Sequence, residues 1–118
     1  MTDKVLTRNL LINALRDWQS GEMTAQEVQE LAESFTDSSD FPESPPEDDR
    51  SIEVEVLMHL DALSTLPVTR ADIPAILQFL STPPGEALNG WAAWISYWES
   101  QNDADRRAEV AGDPFYAV

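Results

Sequence analysis

Ala87 to Trp98 reads ALNGWAAWISYW, and three of the chain's four tryptophans, Trp91, Trp94 and Trp98, recur in it at spacings of three and four. At about 100° per residue, Leu88, Trp91, Trp94, Ile95 and Trp98 fall within an arc of roughly 120°, the apolar stripe of a helix that buries one side. The stretch therefore predicts a buried helix, the central slab of a helical core. A stacking platform for sugars or bases is the other use of such a row, but it needs outward-facing rings with polar or basic neighbours. Here the neighbours are Ala92, Ala93 and Ile95, so the row reads as core.

The rest of the chain supplies helices to pack against it. A first helix is expected from Thr2 or Asp3 to about Gln19, with Leu11, Ala14, Leu15 and Trp18 on one face and Ser20-Gly21 as its stop. Thr24 and Glu27 then have the spacing of a capping box, and Met23 and Val28 that of a hydrophobic staple around it. They open a second helix, whose Val28, Leu31, Ala32 and Phe35 form a buried stripe, antiparallel to the first. A third is expected from Ser51 to Leu66. Ile52, Val56, His59, Leu60, Leu63 and Leu66 make one face, Val54, Leu57 and Met58 make the other side apolar too, and Pro67 ends it.

Thr69 to Asp72 predicts a further capped turn, and Pro74 fits the first turn of a fourth helix that buries Ile73, Ile76, Leu77 and Leu80. STPPG, residues 81–85, separates it from the tryptophan helix. Residues 101–118 form a polar tail with a short helix at Asp103 to Val110, and Phe115 and Tyr116 are expected to dock on the body. At 118 residues the chain suits one domain. The predicted fold is all-α, a single small bundle of about five helices whose core includes Trp18, Ile52, Val56, Leu60, Leu63, Trp91, Trp94 and Trp98.

Residues 36–49, TDSSDFPESPPEDD, interrupt the helical pattern. Pro42, Pro45 and Pro46 forbid a continuous helix, and six carboxylates disfavour collapse, so an acidic, proline-rich loop is expected up to Arg50. Phe41 is its only large apolar side chain, a pin if buried and an anchor for a partner if exposed.

The formal charge is −15, from 22 acids and seven bases. From Asp17 to Asp61 there are 14 acids and one base, Arg50, so this segment alone carries −13. Phosphate backbones and anionic lipid surfaces attract basic clusters, so neither nucleic acid nor membrane is an expected partner. A basic protein is. The expected contact set is Glu27, Glu30, Glu33, Asp37, Asp40, Phe41, Glu43, Glu47, Asp48, Asp49, Glu53 and Glu55, converging on one side as a phosphate-mimicking face that steers association. The alternative is a solvated face that promotes solubility.

Enzyme chemistry finds little to work with. There is no cysteine, hence no disulfide, thiolate zinc site or cysteine nucleophile, which fits a reducing cytoplasm. No secretory signal pattern opens the chain, and no apolar run approaches the roughly 18 residues that span a bilayer. His59 is the only histidine and points away from Asp61 on a helix, so it reads as a core-edge histidine bonded to a carbonyl, with pH sensing as the alternative. Asp37 to Asp49 lacks the glycine and spacing of an EF-hand loop. Among so many acids, pairs at glycosidase spacing arise by chance. No catalytic residue, metal or cofactor is expected.

The segment LRDWQSGEMTAQEVQELAESF, an acidic loop, and then VEVLMHLDALSTL resembles, over the first 66 residues, the small acidic helical immunity proteins that neutralise bacterial nuclease toxins of the colicin and contact-dependent-inhibition type. The resemblance implies a cytoplasmic inhibitor that fills a toxin's nucleic-acid cleft with Asp and Glu side chains in place of phosphates; it assigns no individual residue. Two other classes compete with it. One is an adaptor or secretion-type chaperone that holds an amphipathic peptide in an apolar groove, and the other a small enzyme using its acids as general acid and base or as metal ligands.

Overall fold

A computed structural model describes residues 7–38 and 45–116. Its regular elements are α1 (Arg8–Ser20), α2 (Ala25–Ser38), α3 (Arg50–Asp61), α4 (Ile73–Leu80), α5 (Ala87–Glu99) and α6 (Asp103–Glu109), with 3-10 turns at Arg70–Asp72 and Pro114–Tyr116. The all-α bundle expected from the sequence is the observed architecture, and α6 is the short helix expected in the tail.

The local signals act where they stand. Thr24 N–H donates to Glu27 Oε1 at 3.0 Å and Glu27 N–H to Thr24 Oγ1 at 3.1 Å, closing the capping box in front of α2. Gly21 adopts φ 91°, a left-handed conformation that suits glycine, and its N–H returns to Trp18 O. The start of α1 differs from expectation. Thr7 is extended and its hydroxyl accepts from Leu10 N–H at 3.1 Å, so the helix begins at Arg8 rather than at Thr2 or Asp3.

Two further boundaries move. The helix α2 runs on through Thr36, Asp37 and Ser38, residues expected in the loop, because the first proline comes only at Pro42. Asp40, Phe41 and Glu43 lie outside the described residues. In α3 the helix stops at Asp61, five residues before the expected end. Turns through Ala62–Leu66 then carry Val68 into the core, where it is fully buried and its N–H donates to Leu63 O. Leu66 is left exposed instead of closing the buried stripe.

Helix α3 is the central element, packed against α1, α2, α4 and α5. Its Ile52, Val56, Leu57 and Leu60 are buried among Leu11, Leu15, Trp18, Val28, Phe35, Ile73, Ile76 and Leu80. Helices α2 and α3 run antiparallel, and Gln29 Oε1 accepts from Ser64 N–H at 2.8 Å where the end of α3 passes α2. Helices α3 and α5 run parallel along a seam. Trp91 Nε1 donates to Ser51 Oγ at 2.8 Å, Trp94 Nε1 to Glu55 Oε2 at 3.0 Å, and the Trp98 ring lies 5.2 Å from that of His59. The tryptophans' spacing of three and four thus matches successive turns of α3 at residues 51, 55 and 59.

The tryptophan helix is therefore an edge element and not the central slab. Only Ala87 and Trp94 of α5 are buried; Trp91 and Trp98 are half-buried, Leu88 is 60% exposed and Ile95 48%. Its packing partners are α4 and α3, which cover one side and leave the flank of Leu88 and Ile95 open. Gly90 permits the approach to α4. A Cβ there would overlap Thr82 Oγ1 and come within 2.8 Å of its Cγ2, and Thr82 is buried with its hydroxyl donating to Phe79 O at 2.7 Å.

Candidate partner interface

Those of the expected acidic contact residues that are described divide into three groups. Glu27 and Glu30 are exposed on α2 and Glu33 is half-buried there, with Asp37 further along the helix. Glu47 and Asp48 are exposed on the approach to α3. Asp49, Glu53 and Glu55 are half-buried and bound to the body. Asp49 accepts from Gly85 N–H at 3.0 and 3.2 Å, fastening the loop's end to the STPPG turn. Glu53 pairs with Arg8 at 3.2 Å, and Glu55 accepts from Trp94.

Among the described residues, these contacts separate the acids that hold the fold from those that face water. Since the end of α3 passes Gln29, Glu27 and Glu30 stand at the other end of α3 from Asp48, about one helix length or roughly 18 Å away. Glu53 is drawn inward by Arg8 and serves the fold. Of the described residues, Glu27 and Glu30 thus face water near one end of α3 and Glu47 and Asp48 near the other.

Two charged groups hold the interior, and the sequence marks only one of them, Asp72, as the end of a capped turn that the structure forms. Arg8, at the start of α1, donates to Glu53, to the backbone oxygens of Leu80 and Thr82 at 3.0 and 2.6 Å, and to Asp49 O at 3.3 Å. One guanidinium thereby joins three helix ends. Asp72 is fully buried and receives Thr69 N–H at 2.8 Å, Tyr97 Oη, and both Nη groups of Arg106. Arg106 also donates to Pro67 O at 3.1 Å and lies 4.8 Å from the centre of the Trp98 ring, so it fixes α6 to the body.

The tyrosines report this environment. Burial, and then the Asp72 carboxylate beside it, push the Tyr97 hydroxyl up to about 12. Burial and the neighbouring Asp113 push Tyr116, whose hydroxyl donates to Val68 O at 2.6 Å, up to about 12 as well. In the unfolded chain both ionise near the ordinary value of about 10. Between pH 10 and 12 the unfolded chain therefore binds fewer protons than the native one, so the contribution is complete below about pH 10 and lost as pH rises towards 12. The denaturant midpoint is expected to fall across that window. Tyr97→Phe and Tyr116→Phe should each flatten the fall, and an unchanged slope in the double variant would contradict this account.

His59 sits at the core edge with Nδ1 3.1 Å from Glu55 O, as the sequence suggested, between the rings of Trp94 and Trp98 at 5.1 and 5.2 Å. A cleft of about 360 Å³ between α4 and α5 is lined by Phe79, Thr82, Glu86, Trp94 and Tyr97 among others, and Glu86 is its only carboxylate. Among the described residues no three His, Asp or Glu side chains gather as a metal ion would require. No helix among them is long and apolar enough to cross a membrane.

Comparison with protein-family models, with curated proteins and with solved structures finds no match for the chain.

Proposed function

We propose that the chain is a non-enzymatic binding protein that takes a basic protein partner on the acidic clusters of α2 and of the approach to α3, and specifically an immunity protein that inhibits a nuclease toxin. The observation that carries the reading is the charge of −13 between Asp17 and Asp61, with Glu27, Glu30, Glu47 and Asp48 of that segment exposed. Carboxylates placed this way attract a cationic surface over roughly a Debye length, about 8 Å at physiological ionic strength, and repel nucleic acid. A nuclease's substrate cleft is such a cationic surface.

The immobilised chain is expected to retain, from its source cells and from cells expressing its neighbouring gene, a basic protein. That protein should elute as salt rises from about 0.1 to 1 M, over which the screening length falls from about 10 to 3 Å. Glu30→Lys combined with Asp48→Lys should weaken retention by about tenfold or more, roughly 1.4 kcal/mol. Coexpression of the chain should also suppress the retained protein's nuclease activity. Retention that ignores both salt and charge reversal would sink the reading.

A further inference from the structure

Three large apolar side chains of α3 and α5 are left in water. Met58 of α3 is 59% exposed, Leu88 of α5 60% and Ile95 of α5 48%. Val54 and Met58 lie one turn apart on α3, and Leu88, Trp91 and Ile95 follow the spacing of one flank of α5. Between the two helices a cleft of about 530 Å³ is lined by Pro45, Pro46, Ser51, Val54, Glu55 and Met58, with Trp91 on the α5 side. The seam of Trp91 with Ser51 and Trp94 with Glu55 fixes its floor.

We propose that this groove seats a basic amphipathic helix of the partner, an inference that rests on the acidic-binding reading above. Two helix banks with an apolar floor accept the apolar stripe of a third helix, which reads them through side chains at i, i+3, i+4 and i+7. The charge around the groove selects the occupant. Glu47 and Asp48 follow Pro46, Glu55 lines the cleft, and Glu99 lies one turn beyond Ile95, with Arg50 as the base nearest to them in sequence. Four acids to one base favour lysines and arginines on the polar side of the incoming helix. The same charge opposes a second copy of this chain, which would bring another −15 to the contact. Apolar contacts at the centre and acids at the rim give the groove affinity and orientation together.

The test uses the full chain and two synthetic Leu/Lys peptides of about 14 residues, roughly 21 Å as a helix. One has leucines at helical spacing, and the other has the same composition with that spacing permuted. At low salt the helical peptide is expected to shift the backbone amide resonances of Val54, Met58, Leu88 and Ile95 and the Trp91 indole resonance. It should bind about tenfold or more tightly than the permuted one. Met58→Asp with Ile95→Asp, at exposed positions, should remove that preference while leaving the helical circular dichroism unchanged. Glu30→Lys with Asp48→Lys should weaken both peptides alike. Equal binding of the two peptides, or a preference that survives the Met58→Asp, Ile95→Asp double substitution, would overturn the groove and leave the acidic clusters standing. Binding of neither peptide would count against the acidic reading itself. A dimer in sedimentation that the groove substitutions dissociate would assign the groove to a second copy instead and overturn the proposal.

Discussion

Asp72→Ala is expected to destabilise the protein by about 3–5 kcal/mol, the cost of breaking a buried ion pair by removing one partner. The carboxylate is fully buried, and its loss strands three donors at once: the Arg106 guanidinium, the Tyr97 hydroxyl and the Thr69 N–H. Arg106 carries most of the effect, because a guanidinium held between Pro67 O and the Trp98 ring keeps its desolvation and loses its counter-charge. Urea unfolding should show a lower midpoint with little change in slope, and Tm should fall on the order of 10–20 °C. Asp72→Asn keeps the shape and two acceptor lone pairs, so its cost should be smaller. The double variant Asp72→Ala, Arg106→Ala should cost clearly less than the sum of the two single changes, since it leaves no orphaned charge. Strict additivity would show that the two residues do not act as a pair.

Trp94→Ala is the second large effect, on the order of 3–5 kcal/mol from lost transfer free energy and the cavity left behind. The indole is buried, stacked on Phe79 with centroids 4.5 Å apart and 11° between planes, edge-on to Trp98 at 5.4 Å, and bonded to Glu55. Leu88→Ala and Ile95→Ala, on the open flank of the same helix, should stay within about 0.5 kcal/mol of the parent. The ranking within one helix is the sharper test. The apolar arc alone gives these residues equal standing, whereas the packing separates Trp94 from its neighbours by several kcal/mol. Equal losses at Leu88 and Trp94 on chemical denaturation would mean that the flank of α5 is covered in solution.

That contrast shows how far a periodic pattern reaches. The arc of Leu88, Trp91, Trp94, Ile95 and Trp98 correctly marked a helix, because the spacing of apolar side chains is set by the geometry of the backbone. It did not say how much of the arc a neighbour would cover. With α4 and α3 as the packing partners of α5, one part of the stripe is core and the flank of Leu88 and Ile95 is left exposed. Exposed Leu88 and Ile95 and buried Trp94 look alike in the sequence, and so the proposed groove could not be read from it.

The acids divide in the same way. Glu27 was recognised both as a cap and as a contact residue, since the capping box spans four residues and closes within a single turn. Glu53 carries no local mark to distinguish it from Glu30, yet it is held by an arginine 45 positions earlier in the chain. Nothing local marks Arg106 within its polar segment, yet it reaches Asp72, 34 positions away.

By itself, then, the sequence determined the helices, several of their ends and the sign and concentration of the chain's own charge. Caps, glycine and proline stops and net charge depend on residues within a turn of one another or on composition alone. Only the tertiary structure decided which carboxylates face water, that Glu53 and Asp72 are held by arginines, and which side of the tryptophan helix stays open. Those outcomes depend on contacts between segments 34 to 45 residues apart. Such contacts are selected by the packing of the whole bundle, in which burial makes an unpaired charge costly and a paired one tolerable.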